Sequence, residues 1–366
     1  MAQAVLDRVS ATGDARRLAC AIEPDFDFLG EEYSILYAAS AATAFQHPLW
    51  LDGLYARLAP ARGAERIVLT VRDRGELVCL VPLLKRRKSG VTLLETADLG
   101  VSDYASPVIM PGWTPPPDLA EVIAALLPAH DILRIRPIRE EAAGLWTALL
   151  GGTVERLDFS AHATVLAGSF AEWRSAALDP SFARQLDRKQ KKFARTGKAE
   201  LRLLERPDEI AMAIAAIAML RAGRFAGDMI QQQSVRDFYT DIAVRGAAAG
   251  FARTYSLLLD GEPIGHTFGL TAGGRFDYLL IGCDYDTHGR HSPGLLLYDG
   301  MIEDWMRDGG AVFDFTIGDE PFKKDFGTLP TAMFELRDVP TWRGRLAGAA
   351  FEAREQFRRL RRGATT

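Results

Sequence analysis

The segment between Gly261 and Gly327 constrains the fold more than any other part of the chain. Two apolar runs with strand character lead into the turn Ser292-Pro293-Gly294, which is followed by a helical pattern and then by another apolar strand. A strand, a tight glycine turn and a helix N-terminus together present unpaired backbone amides to an anionic ligand. The sequence therefore predicts an anion-binding site at this turn.

Composition sets the frame around this segment. A chain of 366 residues is long enough for two domains, and a hydrophobic content of 48% is ample for two buried cores. The formal net charge of -4 gives no global reason to expect a nucleic-acid partner, so any such partner would have to use a local patch.

The cysteines and the apolar runs bear on the compartment. Cys20, Cys79 and Cys283 are odd in number and widely spaced, which favours neither a disulfide framework nor a cysteine zinc site. The most apolar run, Ile210 to Leu220, is too short to span a bilayer, and the N-terminus lacks a basic segment followed by a long apolar core. We therefore expect a cytoplasmic protein with no stable membrane insertion.

The order of helical and alternating segments repeats along the chain and predicts two similar units in tandem. The turns Asp73-Arg74-Gly75 and Asp260-Gly261 each join two alternating runs into a hairpin. We predict a mixed α/β fold in which each unit has a mostly antiparallel central sheet flanked by helices. The predicted segments are an N-terminal leader (1–30), a first unit (31–167), a second unit that carries the anion site (168–340) and a basic C-terminal helix or tail (341–366).

Residues 35–340 carry a resemblance to a known family. Its most specific elements are Ser292-Pro-Gly-Leu-Leu-Leu297, which opens a helix, and Phe313-Asp-Phe-Thr-Ile-Gly-Asp-Glu-Pro-Phe-Lys323, while Phe45-Gln46 and Asp103-Tyr104 are weaker matches. By these motifs the chain resembles the GNAT acyltransferase superfamily, specifically its CelD-like, cellulose-biosynthesis-associated branch. That branch is similar to the Fem peptidyltransferases, which have two tandem GNAT units. The resemblance implies two GNAT-like units here and an acyl-CoA, most often acetyl-CoA, as co-substrate.

The resemblance also implies where the donor lies. In GNAT proteins the pantetheine arm runs along a splayed strand and the pyrophosphate sits on the following helix, which here are Tyr278 to Cys283 and Arg290 to Leu295. Gly294 would let the backbone approach the phosphates, and the amides of Leu295 to Leu297 would face the anion. The alternative is that Ser292-Pro-Gly merely starts a helix, because Ser is a good N-cap and Pro belongs in the first turn. The expected donor-binding residues are Leu280, Ile281, Gly282, Arg290, Ser292, Gly294 and Leu295.

Asp319, Glu320 and Lys323 follow a buried strand, at a position where α/β sheets tend to place ligands. In a functional interpretation, Asp319 or Glu320 receives the acceptor and Lys323 holds an anionic group. In a structural interpretation, Asp319 and Lys323, at positions i and i+4, form an ion pair that braces the turn.

Proton transfer needs a further set of groups. The family usually shows Tyr where this chain has Phe322, so a hydroxyl that would protonate a leaving thiolate falls to Tyr298 or Tyr285. His266 lies in an apolar strand and Asp284 ends the next one, so the two are predicted to approach each other across the ladder. Such a histidine–carboxylate pair would act as a general base. The alternative is a core histidine that is satisfied by its neighbours.

Two further patterns leave other functions open. Asp284-Tyr-Asp286-Thr-His288-Gly-Arg-His291 contains metal-capable side chains, but its spacing matches no recognised zinc site, so we expect no metal. The segment from Arg184 to Lys198 is strongly basic, and it would be either a solvated helix face or, in a Fem-like enzyme, a docking surface for tRNA. The arginine-rich tail from Trp342 to Arg362 would dock on the protein or on an anionic membrane. The basic residues at helical spacing are Arg184, Arg188, Lys191, Lys192 and Arg195.

The leading hypothesis is an acyltransferase that passes an acyl group from acyl-CoA to an amine or hydroxyl of a small-molecule acceptor, such as a sugar, lipid or envelope precursor. Asp103 and Tyr104 would reach that acceptor from the first unit. The alternatives are a Fem-like transferase that uses aminoacyl-tRNA and a non-catalytic GNAT-like binding module. The catalytic residues of the leading hypothesis are His266, Asp284, Tyr298, Asp319 and Lys323.

Overall fold

The computed structural model describes residues 3–9, 15–225 and 227–349, and the chain divides into two compact units. Unit 1 comprises Met1–Leu157 and Phe334–Thr366, and unit 2 comprises Asp158–Met333. The chain crosses from one unit to the other at residues 157–158 and 333–334, and both positions lie inside long strands. The sequence has no linker-like composition at these positions. The observed boundaries therefore differ from the predicted ones, and the chain returns to unit 1 after completing unit 2.

Both units contain strands and helices. The described strands are β1 (Gln3–Val9), β2 (Ala15–Ile22), β3 (Glu65–Asp73), β4 (Glu76–Lys88), β5 (Val91–Thr96), β6 (Val108–Ile109), β7 (Ile132–Arg139), β8 (Thr153–Val165), β9 (Ala199–Leu203), β10 (Ala252–Leu259), β11 (Glu262–Ala272), β12 (Arg275–Cys283), β13 (Val312–Ile317) and β14 (Leu329–Asp338). The described α-helices are α1 (Glu31–Ala39), α2 (Pro48–Gly53), α3 (Ala59–Ala61), α4 (Leu119–Leu126), α5 (Glu140–Leu150), α6 (Phe170–Ala177), α7 (Pro180–Ala194), α8 (Pro207–Arg221), α9 (Gln233–Ala248), α10 (Tyr285–His288), α11 (Pro293–Arg307) and α12 (Phe322–Asp325).

Unit 1 is built on strands in the order β1-β2-β3-β4-β5-β7, with β6 beside β4. The pairs are antiparallel except β5 with β7, which is parallel. Arg74 and Gly75 have φ of 54° and 93° and join β3 to β4, so the predicted hairpin at residues 73–75 is confirmed. Buried side chains of β3, β4 and β7 pack with Trp146 of α5 into one core.

The predicted N-terminal leader contains two strands. β1 and β2 form an antiparallel hairpin, and β2 pairs with β3 from Leu18, opposite Asp73, to Ile22, opposite Leu69. Leu18 and Cys20 are buried in the core of unit 1. The short apolar alternation at positions 18, 20 and 22 attaches β2 to the sheet.

Unit 2 is built on strands in the order β8-β13-β12-β11-β10-β9, and here β12 with β13 is the parallel pair among otherwise antiparallel ones. Helices cover both faces of this sheet. A Cβ added at Gly282 of β12 would lie 2.8 Å from Ile217 Cα of α8, whereas one added at Gly265 of β11 would lie 3.2 Å from Leu297 Cδ1 of α11. Since neighbouring residues along a strand point to opposite faces, α8 and α11 lie on opposite faces of the sheet.

The sequence pattern from Phe170 to Ala199 predicts one long helix, but the structure has two helices there. α6 ends at Ala177, and α7 begins at Pro180, because Pro disfavours helical geometry in the residue before it and fits the first turn of a new helix. The Asp179 side chain caps α7 by accepting a hydrogen bond from the Ser181 amide at 2.7 Å. The break reorients α7, so its buried face is formed by Phe182, Leu186 and Phe193.

The predicted fold class is confirmed: the chain is mixed α/β, with a mostly antiparallel sheet flanked by helices in each unit. In each unit one parallel pair joins a strand to the strand that returns after a helical connection. Of the predicted C-terminal helix, residues 342–349 are helical, and residues 350–366 lie outside the described part of the chain.

Candidate active site

The parallel pair of unit 2 comes apart after three residues. β12 and β13 are in register at Arg275 with Val312, Phe276 with Phe313, and Asp277 with Asp314, and their ladder ends there. Beyond it β13 is irregular, with Thr316 at φ 57° and a register shift against β8. We call the gap between β12 after Asp277 and β13 after Asp314 the splay.

Aromatic side chains line the splay. The Tyr298 hydroxyl donates to the Tyr278 hydroxyl at 3.0 Å, and the Tyr298 ring stacks on Phe322 with a centroid distance of 5.1 Å. Phe315 and Phe326 pack against the Tyr298 ring at 5.3 and 5.8 Å. Burial raises the pKa of Tyr298 well above its usual value, so its phenol is protonated at neutral pH and acts as a donor.

α11 starts beside the splay, and its first turn differs from the prediction. Ser292 is left-handed at φ 53°, and its carbonyl accepts from the amides of Leu295 at 3.0 Å and Leu296 at 3.4 Å. Pro293 has no N–H. Among the described residues of this first turn, the amide of Gly294 is the one without a backbone acceptor. The prediction that the amides from Leu295 onward are free was therefore wrong for Leu295 and Leu296.

Gly294 itself is enclosed. A Cβ at this position would lie 2.5 Å from the Tyr285 hydroxyl and 3.6 Å from Ile281 Cδ1, so the backbone needs glycine here because of this close approach. Ile281 thus faces the start of α11, and its carbonyl accepts from Arg221 at 3.2 Å. Gly282 and Leu280, which were predicted beside it at the donor site, are on the opposite face, toward α8.

Positive charge surrounds the start of α11. Lys189 of α7 donates from Nζ to Ser292 Oγ at 2.6 Å, and Arg290 donates from Nε to His291 Nε2 at 2.9 Å. Burial and then the nearby charges of Arg290 and Lys192 lower the pKa of His291, which keeps its ring neutral. Because Nε2 accepts, the ring hydrogen is on Nδ1, and this buried atom has no partner among the described residues.

Lys189 was part of the predicted basic segment but was not assigned to the site. It lies 103 positions before Ser292, and its contact depends on how α7 packs against α11. The remaining basic residues of α7 and its C-cap point to solvent, and the structure gives them no carboxylate partner within the described residues. We call this set the α7 ridge: Arg184, Arg188, Lys191, Lys192 and Arg195.

The segment after β13 is held by Lys323. Its side chain is 2% exposed, and Nζ donates to the carbonyls of Ile317 at 2.8 Å and Gly318 at 2.9 Å. Glu320 completes the site with an ion pair at 2.9 Å. The predicted ion pair of Lys323 with Asp319 was therefore wrong, and a buried ammonium with these partners is not placed to hold an anionic ligand as the functional interpretation expected. The left-handed Thr316 and the glycine at 318 turn the carbonyls toward Lys323.

Asp319 instead contacts a histidine. Its Oδ1 lies 2.8 Å from Nε2 of His162 on β8, and its Oδ2 accepts from the Ser160 amide at 3.3 Å. The His162 hydrogen bond is the main cause that lowers the pKa of Asp319. The Asp319 side chain is 47% exposed whereas that of His162 is 1% exposed. Sequence analysis missed His162 because 157 positions separate the partners and no motif links them.

His266 and Asp284 do not form the predicted histidine–carboxylate pair. His266 lies opposite Gly282, on the face toward α8, and its Nδ1 is 2.8 Å from Ser256 Oγ. Asp284 caps α10 by accepting from the Thr287 amide at 3.0 Å. Burial lowers the pKa of His266 to about 4, which suits the alternative of a satisfied core histidine.

The rival metal interpretation of residues 284–291 finds no support in the described residues. Asp284 is engaged as a helix cap, and His291 accepts from Arg290. Across residues 3–9, 15–225 and 227–349, no group of three or more His, Cys, Asp or Glu side chains is arranged to hold a metal ion.

Comparison with known proteins identifies the unit that holds this geometry. Residues 180–324 match the family model described as "Acetyltransferase (GNAT) domain", and this range runs from the start of α7 through the splay to Lys324. Most of unit 2 is therefore similar to a GNAT acetyltransferase domain. The matched range includes every residue described above for the start of α11 and the end of β13, with His162 and Ser160 lying before it. No curated protein matches this chain significantly.

Solved structures share the fold over most of the chain. FemX aligns with 83% of this chain and 95% of its own, at a TM-score of 0.58 and 11% identity. L-PGS from Bacillus licheniformis aligns with 88% of this chain and 94% of its own, at a TM-score of 0.56 and 12% identity. The C-terminal domain of a putative lysylphosphatidylglycerol synthetase from Agrobacterium fabrum aligns with 89% of this chain and 94% of its own, at a TM-score of 0.54 and 12% identity. At these identities the likeness concerns the fold.

Among the described helices, none combines the length and apolar character needed to cross a membrane.

Proposed function

We propose that unit 2 transfers an acyl group from an acyl-CoA thioester, acetyl-CoA first among them, to an amine or hydroxyl of a small-molecule acceptor. One observation carries the proposal: β12 and β13 pair for three residues and then part, and α11 begins just beyond the end of β12. A gap between strands offers backbone edges to an extended thioester arm, and an adjacent helix start attracts phosphate. This arrangement occurs within the range that matches the GNAT domain.

The start of α11 fits the phosphates of such a donor. Lys189 and Arg290 supply two cations, the Gly294 amide is the free first-turn donor among the described residues, and His291 Nδ1–H is a buried donor that lacks an acceptor. An unpaired buried donor costs about 1–3 kcal/mol, which a bound phosphate oxygen would recover. Because its charges come from two elements that are distant in sequence, this site is larger than the predicted one at residues 290–295.

The splay supports the chemical step. The acceptor's nitrogen or oxygen attacks the thioester carbonyl carbon, the carbon–sulfur bond breaks, and the thiolate needs a proton. Tyr298 has a protonated hydroxyl in the splay, and its contact with Tyr278 at 3.0 Å fixes the direction of the phenol. We assign Tyr298 as the proton donor to the thiolate. The CelD-like resemblance supports a sugar, lipid or exopolysaccharide precursor as the acceptor.

Ligand-induced thermal stabilisation tests the donor. At a CoA concentration 100 times its Kd, binding to the folded protein adds about 2.7 kcal/mol to its stability. We expect CoA and acetyl-CoA to raise the Tm of the wild-type protein, Lys189→Ala to lose most of this rise, and Arg184→Ala on the exposed side of the same helix to keep it. The absence of a shift with CoA, acetyl-CoA and longer acyl thioesters would remove the acyl-CoA proposal.

The α7 ridge favours a second candidate, transfer from aminoacyl-tRNA. Five cationic side chains on one exposed surface, with no carboxylate partner within the described residues, are suited to a nucleic-acid backbone. A tRNA-binding assay at 50 and 200 mM salt should then show a steep loss of affinity. The triple variant Arg184→Ala, Arg188→Ala, Lys192→Ala should flatten that salt dependence. CoA-dependent stabilisation without tRNA binding eliminates this candidate, and the absence of both leaves a non-catalytic binding module.

A further inference from the structure

The hydrogen bonds around His162 fix where its protons are. Thr328 Oγ1 lies 3.0 Å from the Lys323 carbonyl, and because a carbonyl can only accept, the single hydroxyl hydrogen of Thr328 is used there. Toward His162 Nδ1, at 3.3 Å, Thr328 must therefore accept. The Nδ1 atom of His162 carries a hydrogen in this arrangement.

The second ring nitrogen then faces a carboxylate. His162 Nε2 and Asp319 Oδ1 are 2.8 Å apart, which is a hydrogen-bond distance, so in this arrangement a proton lies between them. With Nδ1 already protonated, the pair holds one proton more than a neutral histidine beside a carboxylate. The pair is consequently a store for one exchangeable proton. The His162 side chain is 1% exposed, whereas the Asp319 side chain is 47% exposed and open to solvent.

The environment makes this proton transferable. Asp319 lies two residues past the end of β13, on the side of β8, and almost half of its side chain is exposed. The neighbouring charges are Lys323 and Glu320, which are paired with each other at 2.9 Å and so largely cancel. A proton taken by Asp319 can pass to His162 Nε2 without movement of the backbone.

We propose that Asp319 is the proton acceptor for the attacking group of the acceptor substrate, and that His162 is the residue that positions Asp319 and stores the proton. The working form has lost the shared proton. An ammonium or hydroxyl of the acceptor gives its proton to the pair, the freed electron pair forms the bond to the thioester carbonyl carbon, and the carbon–sulfur electrons leave with sulfur. The thiolate takes the Tyr298 proton. Tyr298 is reprotonated by the second proton that leaves the acylated nitrogen, or by solvent when the acceptor is a hydroxyl, and the pair returns its own proton to solvent. The inference rests on the proposed function, which supplies the thioester.

A direct test of the proton positions needs no substrate. In the full chain labelled with 15N-histidine, we expect NMR to show a hydrogen on each ring nitrogen of His162, with the Nε2 hydrogen shared with Asp319. In Asp319→Asn the signal of this shared hydrogen should be lost, whereas Asp325→Asn, which changes an exposed carboxylate nearby in sequence, should leave it in place. A ring protonated on Nε2 alone, or an Nε2 signal unaffected by Asp319→Asn, would overturn the inference.

Turnover tests the catalytic role. Thiol release from acetyl-CoA is followed with glucosamine, lysine and putrescine as acceptors, and positioned acid–base groups contribute about 10²–10⁴-fold. We expect Asp319→Asn to lower kcat at least 100-fold with the KM for acetyl-CoA unchanged. His162→Gln, which keeps a donor but cannot titrate, should lower kcat about 10-fold and remove the rise of rate with pH.

The two proposals fail differently. If the wild-type protein releases thiol and Asp319→Asn is as active as Asp325→Asn, the inference is wrong and the acyl-CoA function stands. If no thioester is used by the wild-type protein, the acyl-CoA function fails, and the NMR spectrum of His162 then decides whether the pair holds a shared proton at all.

Discussion

Replacement of Lys323 by Met separates a structural role from a ligand-binding one. The substitution keeps the length of the side chain but removes an ammonium that is 2% exposed and bonded to the carbonyls of Ile317 and Gly318 and to Glu320. Hydrogen bonds to a charged group contribute about 1.5–3 kcal/mol each, and breaking a buried pair by removal of one partner costs about 3–5 kcal/mol. Glu320 is 55% exposed and regains water, so we take the lower part of this range, about 3 kcal/mol.

Urea unfolding followed by circular dichroism measures this loss of unfolding free energy. In a thermal melt, at about 2–4 °C per kcal/mol for a unit of this size, the same loss should lower the Tm by about 6–12 °C. Lys324→Met is the matched control, because Lys324 is the next residue along α12 and is exposed, so its variant should unfold within about 0.5 kcal/mol of the wild type. A loss below about 1 kcal/mol in Lys323→Met would refute the reasoning that the ammonium organises the end of β13.

Three further predictions follow from other sites. Gly294→Ala puts a Cβ 2.5 Å from the Tyr285 hydroxyl and should cost about 1–3 kcal/mol in urea unfolding, part of which Tyr285→Phe in the same chain should restore. Burial raises the pKa of Asp98 to about 6, so the folded state holds this proton more tightly than the unfolded state. Stability should therefore fall by about 3 kcal/mol between about pH 4 and 6 relative to Asp98→Asn, and parallel curves would contradict it. Gly144→Ala in α5 meets open space and should stabilise the protein by about 0.5–1 kcal/mol, whereas Gly282→Ala, against Ile217 Cα, should destabilise it.

The elements of unit 2 were predictable because their signals are local. Apolar alternation gives β11 and β12, the Asp260-Gly261 turn joins β10 to β11, and Pro293 marks the start of α11. Where the sequence analysis failed, a short local signal was read as part of a longer pattern. The helix from residue 170 was extended through Pro180 although the residue before a proline avoids helical geometry.

The site was less predictable because its contacts join distant residues. Lys189 reaches Ser292 from another helix, and His162 reaches Asp319 from another strand. Spacing along one helix favoured Asp319 with Lys323, but that rule holds for residues inside a regular helix. Here the chain leaves β13 through a left-handed Thr316, and α12 starts only at Phe322, so Asp319 precedes the helix and faces β8.

The end of β13 divides two tasks between residues that a motif presents together. Lys323 and Glu320 neutralise each other and tie down the carbonyls that the irregular strand exposes. Because that charge is satisfied internally, Asp319 is the carboxylate of this turn that is not paired with Lys323, and it contacts His162 instead. A structural role for Lys323 is therefore a precondition of a reactive role for Asp319: if the ammonium were free to pair with Asp319, the carboxylate would lose both its exposure and its tie to the histidine.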